Sequence, residues 1–252
     1  MMKFKFIPLV FSILAFQLLR GQEFSLEEKI EAEVTFNKII DYKLNSLAAI
    51  ENYLYYARGI HPAETSDMLD KYLALAEHHQ MNIELYNKKY GNGKFLKIPG
   101  YWRNMRVKIV HSYGKGLAKD LDEKLSEMNL ILDEMKNHLA EKYRLSFSKN
   151  KFLLDKTLYY THYLSFLYIA ALLEKGSYFN TKLMMAVDNY KRLIENFKKI
   201  DFSDEKDRKK FDFLVSQMEQ LMDEILLEET VPENVLTKVN LIHNGMIKLL
   251  SR

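Results

Sequence analysis

From Leu158 to Leu173 the chain runs sixteen residues without a formal charge, so a helix there has no face that prefers water. Such a helix needs other helices around it, and the remaining segments read as one-sided, able to supply that cover. A membrane span is the rival reading of the same stretch. At ~1.5 Å rise per residue it reaches roughly 24 Å, short of a hydrocarbon core of about 30 Å. It also carries Tyr159, Tyr160, Tyr163 and Tyr168 with Thr161, His162 and Ser165. A buried core helix is therefore expected.

The flanking pattern is helical throughout. Ser25 and Glu28 have the spacing of a capping box, and Phe36, Ile40, Leu44, Leu47 and Leu54 continue one apolar stripe as far as Gly59. A second helix is expected from Thr65 or Ser66, with a heptad seam of Leu69, Tyr72, Ala76, His79, Ile83, Tyr86 and Tyr90. Further helices are expected over 101–111, 117–143, 181–199 and from Asp204 to Glu229. The last opens on the capping-box spacing of Thr230 and Glu233. No stretch alternates as a strand does. The expectation is an all-α fold: a long-helix bundle of about seven helices around a central buried helix. Two stacked sub-modules, 22–145 and 146–252, are the finer division, suggested by a short echo between Ile39–Leu44 and Leu153–Leu158.

Composition narrows the class. In 252 residues, 48% hydrophobic and 13% aromatic content suffices for a packed core, and nine Gly with four Pro leave few breaks between helices. The absence of Cys excludes disulfides, thiolate metal sites, a cysteine nucleophile and a lipoprotein anchor. Lys3 and Lys5 followed by the apolar run Ile7 to Leu19 have the form of an export signal over 1–21, with cleavage after Gly21, although Leu19 is large for its place before the cut. Without Lys3, Lys5 and Arg20 the count of Lys and Arg falls from 37 to 34 and equals the 34 Asp and Glu, so the mature chain 22–252 is balanced in charge. A bacterial periplasmic or secreted protein is expected.

That balance makes the distribution of charge informative. Between Glu84 and Asp120 there is no acid, and Lys94, Lys97, Trp102, Arg103, Arg106 and Lys108 form a basic aromatic segment expected to bind a partner. From Phe211 to Thr237 there is no base, and the acids there offer a complementary surface for self-association. Export argues against nucleic acid. The expected partner is an envelope protein or an anionic surface, either lipid headgroups or a cell-wall polymer.

No nucleophile elbow, zinc-protease helix, phosphate loop or di-iron spacing occurs, and the adjacent His78 and His79 point to different helix faces. No cofactor or metal is implied, and a non-enzymatic adaptor or scaffold is the expectation. The alternative is a small-molecule-binding or ligand-sensing bundle, with an interior polar pocket built from Tyr159, Tyr160, His162 and Tyr163.

Overall fold

The computed structural model describes residues 24–91, 95, 97–111, 117–200, 204–227 and 230–250; the export signal expected over 1–21 lies outside them. The described residues form eight α-helices and no strand: α1 Leu26–Ala57, α2 Pro62–Tyr90, α3 Ile98–His111, α4 Leu117–Tyr143, α5 Lys149–Leu173, α6 Ser177–Phe197, α7 Glu205–Leu226 and α8 Pro232–Leu250.

Local chemistry sets the helix ends. The capping box at α1 is complete: Glu28 N donates to Ser25 Oγ at 3.1 Å, and Ser25 N donates to Glu28 Oε2 at 2.9 Å. Gly59, at φ 78°, reverses the chain after α1. α2 begins earlier than the sequence pattern suggests. Pro62 occupies its first turn, where a missing N–H costs nothing, and the buried Thr65 hydroxyl donates back to the carbonyl of Ile60 at 3.1 Å instead of capping. At α8 the expected capping box gives way to a bond from the Thr230 hydroxyl to the Glu224 carbonyl, which ties the loop to the end of α7.

α1 is the hub. It packs along α2 and also against α5 and α4, while α5 packs in turn on α6 and α8. The buried apolar side chains of all eight helices join one continuous cluster. The central-helix expectation needs two corrections. α1 is not one-sided: every residue from Asn45 to Tyr55 is buried, so its C-terminal half is as enclosed as α5. The polar residues Asn45, Ser46, Glu51 and Asn52 disguise that burial in the sequence. Conversely, α5 does have an open side, because Tyr159, Tyr160 and Tyr163 are only half-buried.

That open side follows from the packing. α4 and α5 both lie on α1 but scarcely touch each other, so they diverge over α1 and leave a trough. Among the described residues no helix is long and apolar enough to cross a membrane.

Candidate functional site

The trough is a cavity of about 520 Å³, within the range of small-molecule sites. Ile40, Lys43 and Leu44 of α1 form its floor. α4 supplies Ser126, Asn129, Leu130, Asp133 and Lys136, and α5 supplies Phe152, Asp155, Lys156, Tyr159, Tyr160 and Tyr163. The α5 residues recur at helical spacing on one face, over roughly 17 Å at 1.5 Å per residue.

The tyrosines form a fixed aromatic wall. Tyr159 and Tyr163 stack at 6.0 Å with 25° between their planes, and Tyr160 stands edge-on to both. Asn129 Nδ2 donates to the Tyr159 hydroxyl at 2.8 Å, which leaves that hydroxyl's own hydrogen free to donate. Burial raises the Tyr159 phenol well above its usual range and pushes Tyr163, with help from Asp122, up to about 12, so both remain protonated donors at neutral pH.

The other end is ionic. Asp133 receives Lys43 at 2.7 Å and Lys136 at 2.9 Å. Burial opposes ionisation of Asp133, but these two hydrogen bonds outweigh it and hold the carboxyl below its ordinary range, while burial pulls the Lys43 ammonium down. Asp155 is raised by burial, with Lys151 at 3.7 Å its nearest cation. Lys156 Nζ lies 5.9 Å from the centre of the Phe152 ring and has no acidic partner among the described residues.

His162, expected in the same pocket, faces the other way. Its Nδ1 lies 2.5 Å from Glu51 Oε2 on α1, and its Nε2 lies 2.8 Å from His243 Nδ1 on α8. Tyr72 of α2 sits edge-on to both rings, at 6.1 and 6.3 Å. Exposure rises along this chain from 0% at Glu51 and 1% at His162 to 9% at His243. Burial, then the charges of His162 and Lys71, hold the His243 imidazole down at about 3, so it is neutral at pH 7. Glu51 Oε1 has no partner. The hydrogen-bonded chain therefore pins three helices together in the buried interior. Glu51 and His243 escaped the sequence reading, although both carried a signal: each falls at helical spacing from core residues, Glu51 between Leu47 and Leu54, and His243 four residues after Val239.

The basic aromatic segment is divided by burial. Trp102 is 2% exposed and packs edge-on to Tyr42 at 6.0 Å, so it is a core anchor of α3 and not a contact ring. Arg106 pairs with Glu77, and Lys108 with Asp120. Lys97 and Arg103 are exposed and form no ion pair among the described residues, and Lys94 lies outside those residues. Within the acidic stretch, Glu219 meets Lys198 at 2.7 Å and Glu224 meets Lys238 at 2.8 Å. The two runs are thus partly neutralised by neighbouring helices. The described residues contain no cluster of His, Asp and Glu suited to a metal ion.

No family model, curated protein or solved structure matches this chain significantly.

Proposed function

We propose that this chain is a non-enzymatic, small-molecule-binding helical bundle whose ligand lies in the trough between α4 and α5. The observation that carries this reading is the divergence of α4 and α5 over α1, which leaves about 520 Å³ walled by Tyr159, Tyr160 and Tyr163. Stacked and edge-on rings locked by packing form a pre-organised surface, which lowers the ordering cost of binding a flat or apolar body. Native mass spectrometry of the purified chain provides the test. Ser126 lies on the α4 wall, so Ser126→Trp fills the trough without entering the core. The wild type is expected to carry or take up a small molecule that the variant does not. Equal uptake by both would overturn the reading.

An adaptor role in the bacterial envelope is the second reading. It rests on the outward face of α3, where Val107 and Val110 are each 52% exposed near the exposed Lys97 and Arg103. Arg103→Glu is expected to lower the association rate with an acidic envelope partner and to weaken its salt dependence. An unchanged rate would remove this reading.

A further inference from the structure

Resting on the trough as a ligand site, we propose that its ligand is an organic anion bound in one orientation, with its acidic head at the Lys136 and Lys156 end and its flat apolar body along Tyr160 and Tyr163. Polarity changes along the length of the trough. Asn129 bonds Tyr159 across the divide, and Ala118 N at the start of α4 donates to Glu174 Oε1 just past the end of α5 at 2.6 Å, so α4 and α5 run antiparallel: Asp133 and Lys136 lie toward the Phe152 end, and Ser126 toward the Tyr163 end. All five ionic groups of the lining, Lys43, Asp133, Lys136, Asp155 and Lys156, belong to the first of these ends.

The charges there do not cancel. Three lysines face two aspartates, and Asp133 is already occupied by both Lys43 and Lys136. Lys156 is the cation left over, held beside the Phe152 ring. At the other end the phenols offer hydrogens and no charge. The Tyr159 hydroxyl has its acceptor side filled by Asn129, and burial keeps the Tyr159 and Tyr163 phenols protonated. A surplus of ammonium over carboxylate, with phenolic donors beyond it, favours an acidic head over a cationic one, while a neutral ligand leaves Lys156 unused.

The test uses two dyes with the same aromatic body, anilinonaphthalenesulfonate and uncharged N-phenylnaphthylamine, titrated against the purified chain by fluorescence. The sulfonate is expected to bind about tenfold more tightly than the neutral dye. Lys156→Gln should weaken the sulfonate by about fivefold, as expected for one partly exposed charge, and leave the neutral dye unchanged. A second apolar groove with a lysine rim, about 490 Å³ between α7 and α8, contains Phe213, Lys209, Lys210 and Lys248, so Phe213→Ser serves as the control and should change neither titration. Equal affinities for the two dyes, both abolished by Ser126→Trp, would overturn the anion inference and leave the trough as a ligand site. Binding that survives Ser126→Trp, or is lost with Phe213→Ser, or no binding of either dye, would overturn both.

Discussion

At the scale of single residues, Glu51, His162 and His243 are the most consequential group outside the trough. A buried charged or polar pair broken on one side leaves its partner uncompensated, which costs about 3–5 kcal/mol. Glu51→Leu should therefore lower stability by about that much in urea titrations, and Glu51→Leu with His162→Leu should cost clearly less than the two single changes added together. Additive costs would show that the Glu51–His162 contact is not formed. His243 adds a pH dependence of known sign. Its folded imidazole is held down at about 3, below the ordinary histidine value near 6.5, so the unfolded chain binds more protons between those values. Stability should fall as pH drops from about 6.5 toward 3, by an amount on the order of a few kcal/mol. His243→Gln, which keeps a hydrogen-bonding group beside His162, should flatten the curve over that window. A parallel curve for the variant would sink the assignment.

At the scale of elements, nearly every helix could be read from periodicity, because helical spacing of apolar residues depends only on neighbours along the chain. The failures share one cause. Polar side chains in the second half of α1, and aromatic side chains in α3, are placed by partners remote in sequence, which a periodic pattern does not contain. Trp102 shows the effect. Among Arg103, Arg106 and Lys108 it reads as a surface ring, yet it is the side chain that fastens α3 to Tyr42 of α1. Trp102→Ala should cost about 3–5 kcal/mol by opening a large cavity. Trp102→Phe should cost much less, since it also removes an indole N–H that is buried without a partner. Thermal unfolding followed by circular dichroism separates the two, and an alanine variant with unchanged melting would return Trp102 to the surface.

At the scale of the whole molecule, the candidate site was half legible. Tyr159, Tyr160 and Tyr163 stood out as polar rings in an uncharged stretch, and they do line one space. The cavity itself was not legible, because it depends on α4 and α5 parting over α1, a property of three packed helices and of none alone. The segregation of charge was legible but incomplete as evidence, since Arg106, Lys108, Glu219 and Glu224 find counter-charges on adjacent helices. A linear count of charge cannot see such pairs.

The enclosed half of α1 imposes an order on the making of this protein. α2 follows at once and covers one side, but the rest of the cover comes from chain synthesised much later: Glu51 and His162 are 111 residues apart, and His162 and His243 a further 81. At roughly 5–20 residues per second on a ribosome, the side of α1 that carries Glu51 waits roughly 5–20 s before α5 exists, and longer before α8 closes the core. The nascent chain thus spends its early life as an adhesive helix, a natural client for a chaperone that shields apolar stripes until the last helix arrives.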